Sequence, residues 1–534
     1  MDRKKETFFQ SIVALMASQV IVKILGLIYK LYLTNKHEFG DEGNAITSAA
    51  FQVYSLLLSI TSIGVPSSIS KLVAERVAVG DHKGAYKIFK ISLILFSIIG
   101  IVGSYFLYIS ANAIANNMIG MPEVELSLIA LCPSIFLVSI ISVYKGYFNG
   151  REKMSVTAKA QSYDQLTKTC ITILVIELAT MLSKITNTAI IASIANLATT
   201  LANVIELGYL YIYFKKEYAE IRYEIQTSIN YRPVRTLKTI KDILFTAIPM
   251  SLTPLIGTIG KNIDSATVMD GLQSTISYEQ AKIQYGILNG KVDTLINFPL
   301  SFSGTVSTAL VPGIAAAKSK RKLSEISQRI NLSLLVGLII ALPATAIFCF
   351  YSKQILNLLF PNASAGDVIL QISSISIIFI AIEQTIRGVL IGIGNNKVPI
   401  ISITIGVIVK YILNKALIPM NTYFGGINGA AISNLTSHIV VTMLGYIYLK
   451  KVINIKIEKA NIIKLAISTI IFIVSSKILY YIMILKLNAK ISLIISIVIG
   501  IIIYIILAII LKIINTKQLK TLSFSQKKAE KAKI

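Results

Sequence analysis

The chain has 534 residues, of which 54% are hydrophobic and only 15% charged, and its mean hydropathy is +0.70. This composition excludes an ordinary soluble domain and indicates a protein of the lipid bilayer. The net charge of +26 has meaning only through its location along the chain. The three cysteines lie in apolar runs, so neither a disulfide framework nor a metal site is expected.

The first apolar run, residues 11–33, follows a basic N-terminus and contains Lys23 and Lys30. It is longer than the apolar core of a cleavable signal peptide and long enough to cross a bilayer. We therefore predict a retained first transmembrane helix.

At about 20 apolar residues per span, the sequence predicts an all-α polytopic membrane protein with about fourteen transmembrane helices. In chain order, the predicted helices start near residues 11, 45, 87, 123, 157, 187, 241, 284, 329, 366, 398, 424, 460 and 490. Lys and Arg concentrate in every second connection and in the C-terminal tail, which predicts cytoplasmic N- and C-termini. The positive charge is thus an orientation signal that favours anionic membrane lipids as partners and argues against nucleic acid.

A short motif occurs twice, as KGYFNGREK at residues 145–153 and as RGVLIGIGNNK at residues 387–397. Each follows an even-numbered predicted helix, so the chain reads as two parallel six-helix repeats plus two C-terminal helices. The glycines of both motifs are predicted hinges at which a helix ends and turns: Gly146, Gly150, Gly388 and Gly392. The predicted divisions are an N-terminal lobe (1–215), a basic cytoplasmic linker (216–240), a C-terminal lobe (241–450), two extra helices (451–515) and a basic cytoplasmic tail (516–534).

Three stretches carry a family resemblance: GVPSSISKLVAE at 64–75, YKGYFNGREKMSVTAKAQSYDQ at 144–165 and RGVLIGIGNNKVP at 387–399. They resemble the polysaccharide-transporter branch of the multidrug/oligosaccharidyl-lipid/polysaccharide exporter superfamily. Within that branch the sequence is similar to lipid II flippases of Gram-positive type and to stage V sporulation protein B. Members usually carry Arg and Gln where this chain has Lys145 and Asn149.

The resemblance implies a V-shaped arrangement like that of MATE transporters, in the plasma membrane of a bacterium. It also implies movement of an undecaprenyl-pyrophosphate-linked glycan, above all lipid II, from the inner to the outer leaflet by alternating access. Such a protein would serve peptidoglycan synthesis, cell shape or sporulation, with cell-wall synthesis proteins as candidate partners. The two final helices would hold the isoprenoid tail, although structural packing explains them almost as well.

A pyrophosphate needs a cationic route through the membrane, because a bare diphosphate in hydrocarbon is very costly. Lys23 and Lys30 are seven residues apart and share one helix face, where the resemblance favours phosphate binding. Lys261 and Lys291 are further candidate phosphate ligands. The alternatives are that the first two reach an interface and that Lys261 pairs with Asp264.

The seventh predicted helix contains Pro249, Pro254 and Gly257. Such a density of prolines and glycines predicts a bent or broken helix that lines protein or a watery cavity. We expect this helix to act as the gate.

The predicted cytoplasmic entrance is bordered by polar side chains: Lys145, Arg151, Asp164, Lys168 and Arg387. The simple alternative is that Asp164 pairs with Lys168, and Glu383 with Arg387, each at i and i+4. Lys410 and His438 have no nearby partner in sequence. We interpret them as a lysine that reaches an interface and a satisfied buried histidine.

Two rival functions remain. A drug or cation antiporter of the same fold would favour an acidic cavity, whereas the apolar segments here carry more lysines than carboxylates. A membrane glycan polymerase or glycosyltransferase would need catalytic acid and base groups on a sizeable outer loop, which the predicted topology lacks. The sequence contains no Walker motif, and we expect no catalytic residues, no metal site and no cofactor beyond a coupling ion of unknown identity.

Overall fold

A computed structural model describes residues 8–181, 185–228, 235–319, 323–452, 459–511 and 513. Within these ranges the chain forms seventeen α-helices and three π-helical segments. The prediction of an all-α fold is confirmed. The chain divides into two compact units, Met1–Thr294 with Val407–Ser433 and Leu295–Gly406 with Asn434–Ile534. The predicted division into two lobes joined by a linker at residues 216–240 remains a prediction.

The helices of the first unit are α1 (Phe8–Asn35), α2 (Gly40–Leu58), α3 (Val65–Ala78), α4 (His82–Ala113), α5 (Val124–Gly150), α6 (Met154–Met181), α7 (Thr188–Gln226), α8 (Thr236–Gln273) and α9 (Tyr278–Gly286). The later helices are α10 (Asp293–Ser319), α11 (Leu323–Phe350), α12 (Ser352–Leu359), α13 (Asp367–Gly392), α14 (Lys397–Leu417), α15 (Gly426–Val452), α16 (Lys459–Met483) and α17 (Ala489–Ile510). α10, α14 and α15 have residues in both units. The π-helical segments are Ser59–Ile63, Ile114–Ile119 and Ile287–Val292.

Eleven helical stretches of the described residues are long and apolar enough to cross a membrane. They include the continuous stretch Gly40–Ala78, in which a π-helical segment joins α2 to α3. α1, α6 and the stretch from α9 to α10 are not among the eleven. A polytopic membrane protein is therefore confirmed, whereas the number of fourteen spans stays a prediction.

An aromatic cluster joins α4, α5 and α7 in the first unit. The ring of Phe89 lies 5.3 Å from that of Tyr144, 4.6 Å from that of Tyr147 and 5.2 Å from that of Phe214. Because lipid is as apolar as these side chains, close ring packing rather than escape from water holds such helices together.

The first glycine motif serves close helix packing. A Cβ on Gly146 would lie 2.8 Å from Cβ of Ile69, and one on Gly150 would lie 2.8 Å from the Ser70 carbonyl oxygen. α5 therefore approaches α3 so closely that only glycine fits at these positions. Gly146 lies inside a continuous helix, so the hinge predicted there is not found, although α5 does end at Gly150.

The second motif behaves in the same way. Gly388 lies inside α13, where a Cβ would come 2.7 Å from the Ser307 carbonyl oxygen, and α13 ends at Gly392. The left-handed residues that follow the two helices are Glu152, with φ of 61°, and Gly394, with φ of 76°. The chain turns there, beyond the predicted hinge glycines.

α8 runs as one α-helix from Thr236 to Gln273 through both Pro249 and Pro254, so the helix is not broken there, and the alternative of a bent helix stays a prediction. Its side chains bind α2 and the π-helical segment after it. Thr258 Oγ1 lies 2.6 Å from Ser59 Oγ, and Asn262 Nδ2 donates to the carbonyl oxygen of Gln52 at 2.9 Å. The gating role of Pro249, Pro254 and Gly257 stays a prediction.

The two final helices belong to the core of the second unit. Buried side chains of α16 and α17, among them Phe472 and Tyr504, pack with those of α11. The Tyr351 hydroxyl and Ser476 Oγ are 2.9 Å apart. This packing anchors the two helices; their predicted role with an isoprenoid tail is untested.

Candidate functional site

Lys23 on α1 and Lys261 on α8 lie close enough in the first unit for their charges to repel. Both side chains are exposed, and neither forms an ion pair with any described carboxylate. Lys261 does not pair with Asp264, contrary to the alternative drawn from their spacing. The reason is that Asp264 Oδ2 accepts from Lys410 Nζ at 2.7 Å.

A second pair of lysines forms where α1 packs against α6. Lys30 is 8% exposed and interacts electrostatically with Lys168. The Lys168 ammonium lies 5.0 Å from the ring centre of Tyr29 and 5.2 Å from that of Phe51, a cation–π arrangement. In the part of the chain that the structure describes, neither lysine forms an ion pair, although Asp41 contributes an attractive charge near Lys30 and Asp164 one near Lys168.

We call Lys23, Lys30, Lys168 and Lys261 the lysine site. Three of these were predicted from sequence as phosphate ligands. Lys168 was predicted only at the cytoplasmic entrance, since nothing in a single sequence shows that α6 packs beside Lys30.

The other buried lysines are neutralised, which sets the lysine site apart. Lys291 is fully buried, and its ammonium donates to Asp41 Oδ2 at 2.9 Å. It therefore does not present a free charge to an anion in this structure. Lys410, which looked isolated in the sequence, binds Asp264, and Asn414 Nδ2 adds a hydrogen bond to that carboxylate at 3.1 Å.

Lys282 on α9 pairs with three carboxylates, more than any other cation among the described residues of the first unit. Its side chain is 2% exposed and contacts Glu42 at 2.8 Å, Glu123 at 3.0 Å and Glu279 at 3.1 Å. Burial alone would raise the pKa of Glu123, but hydrogen bonds from Tyr278 and Lys282 bring it below its ordinary value. This cluster ties α9 to α2 and to the start of α5. Sequence reasoning missed it because Glu42 and Glu123 are far from Lys282 in the chain, although Glu279 is only three residues away.

Two of the predicted entrance residues pair with separate carboxylates on α7. Lys145 Nζ lies 2.7 Å from Glu206 Oε1, and Arg151 donates to Glu224 at 2.8 Å. Asp164 forms no ion pair with Lys168, so the simple interpretation of their spacing is wrong. Arg151 also donates to the Tyr147 hydroxyl at 3.2 Å, which fixes the end of α5.

In the second unit, Glu383 on α13 is the centre of a three-residue cluster. Arg387 lies 3.6 Å away at the expected i+4 position, so that predicted pair is present. His438 on α15 contacts the same carboxylate through Nδ1 at 2.9 Å. The histidine is thus satisfied, as interpreted, but by a partner that its own sequence neighbourhood did not reveal.

The lysine site has the chemistry of a receptor for a polyanion. An unpaired cation within a membrane protein is costly and usually marks a functional position. Four such cations on α1, α6 and α8 supply several ammonium donors, which bind phosphate as point charges. Exposed side chains at Lys23 and Lys261 leave two of these donors accessible.

Comparison with known proteins agrees with this fold. Stage V sporulation protein B of Bacillus subtilis is 25% identical over 481 residues, covering 90% of both chains. The lipid II flippase MurJ of the same organism is 23% identical, covering 81% of this chain and 80% of its own. A solved structure of the lipid II flippase MurJ in an inward closed conformation has a TM-score of 0.67 at 17% identity, covering 93% of this chain and 98% of the other. An inward-facing MATE multidrug transporter gives 0.63 at 15% identity, covering 83% and 98%.

The helical fold, with eleven described stretches long and apolar enough to cross a membrane, defines a polytopic membrane protein with the fold of MurJ and MATE transporters. The polysaccharide biosynthesis protein profile matches residues 8–318, more than half of the chain, and a MatE profile matches residues 291–415. The chain belongs to the polysaccharide biosynthesis protein family.

Proposed function

We propose that this protein moves an undecaprenyl-pyrophosphate-linked glycan, lipid II foremost, from the inner to the outer leaflet of a bacterial plasma membrane. The observation that carries the proposal is the lysine site, whose four ammonium groups have no described carboxylate in ion-pair contact. A pyrophosphate supplies the negative charge that these groups lack, while the lipid tail stays in the bilayer.

The proposed cycle is alternating access without chemical conversion of the cargo. Lys23 and Lys261 are exposed and make the first contact with the phosphates. Lys30 and Lys168 are less exposed and bind the phosphates after these have lost their water, because an ion pair strengthens as the local dielectric constant falls. Both termini lie on the cytoplasmic side in this proposal, where the basic connections contact anionic lipid.

The test is transport in vesicles that contain the purified protein. Lipid II, an undecaprenyl-linked glycan of a different sugar and a cationic drug are compared in the same preparation, with exposure in the opposite leaflet as the readout. Lipid II is expected to move fastest. Equal rates for both glycolipids would limit the recognised group to the pyrophosphate and its lipid.

Drug export is the second candidate, because the MatE profile matches residues 291–415. The charge of the lysine site opposes a cationic cargo. Transport of the drug without transport of either glycolipid would therefore overturn our proposal and favour this alternative.

A further inference from the structure

The cluster around Lys282 joins the starts of three helices. Lys282 and Glu279 are both on α9, whereas Glu42 belongs to α2 and Glu123 stands directly before α5. The Lys282 ammonium lies 2.8 Å from Glu42 and 3.0 Å from Glu123, and the Tyr278 hydroxyl donates to Glu123 at 2.5 Å. These contacts cross from α9 to other helices. The contact of Lys282 with Glu279, at 3.1 Å, stays within α9.

The three helix starts belong to the same side of the membrane. One predicted transmembrane helix precedes α2, three precede α5 and seven precede α9, so each start lies opposite the N-terminus. With the cytoplasmic termini of the proposed function, this is the outer side. α2 and α5 fall in the predicted N-terminal lobe and α9 in the predicted C-terminal lobe, although all three belong to one compact unit of the structure. The cluster therefore joins the outer ends of helices from both predicted repeats.

Below the cluster, α2 packs tightly against α9 and the π-helical segment that follows it. A Cβ on Gly286 would lie 1.9 Å from the Asp41 carbonyl oxygen, so only glycine fits there. Farther along α2, Gln52 Nε2 donates to Asn289 Oδ1 at 3.1 Å. The ten residues from Glu42 to Gln52 span about 15 Å of helix. Such a contact leaves no path for the head group of a cargo between the two helices.

Alternating access requires the outer ends of α2 and α9 to separate at another stage of the cycle. When α9 moves away, Lys282 loses Glu42 and Glu123 but keeps Glu279, which is three residues away on the same helix. An ammonium group left without a partner near the bilayer would be costly. α9 therefore carries both a cation and its counter-ion through the movement.

We propose that Lys282 is a latch that holds the outer end closed and that Glu279 is its partner when the latch is open. Glu42 and Glu123 contact Lys282 only in the closed arrangement and stabilise it. Glu279 is one of three partners in the closed arrangement and the remaining one in the open arrangement, so it stabilises the open arrangement more. A group shifts a two-state equilibrium only through such a difference between the states. The latch rests on the alternating access of the proposed function and names the groups that control it.

The test follows the distance between two fluorophores on the purified protein in lipid nanodiscs, without any cargo. One fluorophore is attached at His37→Cys, before α2, and the other at Ser274→Cys, before α9. Both positions are exposed, and the three native cysteines are first replaced by alanine. Single-molecule records then give the ratio of the time spent with the outer ends separated to the time spent with them closed.

Glu123→Gln and Glu279→Gln are matched variants, because each removes one carboxylate charge that contacts Lys282. Glu123→Gln should raise the ratio of separated to closed time roughly tenfold, since its charge-assisted contacts exist only in the closed arrangement. Glu279 is 65% exposed, so Glu279→Gln should lower the ratio by a smaller factor, about two- to fivefold. Asp270→Asn removes an exposed carboxylate that pairs with Lys415 and should leave the ratio unchanged.

A shift in the same direction for Glu123→Gln and Glu279→Gln would overturn the inference, because a cluster that only stabilises the fold would loosen in both variants. An unchanged ratio in Glu123→Gln would overturn it as well. Absence of lipid II movement in wild-type vesicles would instead contradict the proposed function, whereas opposite shifts of the ratio in the two variants would still support the latch.

Discussion

The buried ion pair of Lys410 and Asp264 allows us to predict how much the free energy of unfolding changes when one partner is removed. The two side chains are 5% and 9% exposed, and their charged atoms are 2.7 Å apart. Lys410→Met leaves the carboxylate without its cation. The variant can avoid a buried charge by binding a proton, which for an aspartic acid at pH 7 costs about 4 kcal/mol, from about three pH units at 1.36 kcal/mol each.

The reverse change has a similar size and the opposite pH dependence. Asp264→Asn leaves an ammonium that must lose its proton, at about 5 kcal/mol for a lysine at pH 7. The double variant contains no charge at this position and should cost only about 1 kcal/mol, since replacing both partners of a buried pair is often nearly neutral. The two single costs therefore do not add.

The assay is the free energy of unfolding in mixed micelles, measured from pH 5 to pH 9. The cost of Lys410→Met should fall to about 1.5 kcal/mol at pH 5, and that of Asp264→Asn to about 2 kcal/mol at pH 9. Lys415→Met is the control, because its pair with Asp270 is exposed and should contribute under about 1 kcal/mol. Single-variant costs that add in the double variant, or that share one pH trend, would refute the reasoning.

Three further predictions concern other parts of the fold. Lys282→Met should destabilise the protein by about 3 kcal/mol at neutral pH. Because the pKa of Glu123 is lowered in the folded protein, the contribution of that carboxylate to stability is present above about pH 4.5 and is lost in acid. The free energy of unfolding should therefore fall less on acidification in the variant than in the wild-type protein. Gly150→Ala should destabilise the protein by about 1–3 kcal/mol through overpacking against α3. Gly257 has open space around it, so Gly257→Ala should be neutral or stabilising. Equal effects of the two substitutions on the free energy of unfolding would contradict close packing at Gly150. Pro254→Ala should slow exchange between inward and outward states, followed by single-molecule fluorescence, more than it weakens cargo binding; unchanged exchange would remove α8 from the gate.

Much of the fold follows from local patterns in the sequence. Runs of apolar residues of sufficient length predict helices, and the structure places helices along these runs. Membrane-spanning helices rich in polar residues are harder to recognise from sequence. α6 is an example, because its polar face packs against other helices instead of lipid. The sequence revealed both glycine motifs. It could not show whether their glycines allow close packing between helices or a tight turn of the chain, because both roles place glycine at the same positions. The structure distinguishes the two roles, because α5 and α3 approach each other closely at these glycines.

The charged side chains show where sequence reasoning ends. The Glu383–Arg387 pair was predictable because its members are one helical turn apart. The pairs Lys410–Asp264, Lys291–Asp41, Lys282–Glu42 and Lys282–Glu123 join residues that are distant in the chain, so they depend on tertiary packing. Asp164 and Lys168 show the opposite case, in which the spacing is favourable but the ammonium lies over aromatic rings instead.

The proposed transport depends on binding of the pyrophosphate of a lipid-linked glycan at the lysine site. The most direct measurement is movement of lipid II across vesicles that contain Lys23→Glu or Lys261→Glu protein. Lys415→Glu serves as the matched charge reversal on an exposed lysine outside the site. We expect at least about tenfold slower movement in the first two variants, with folded protein retained, and near-normal movement in the third. Wild-type rates in Lys23→Glu and Lys261→Glu would contradict it.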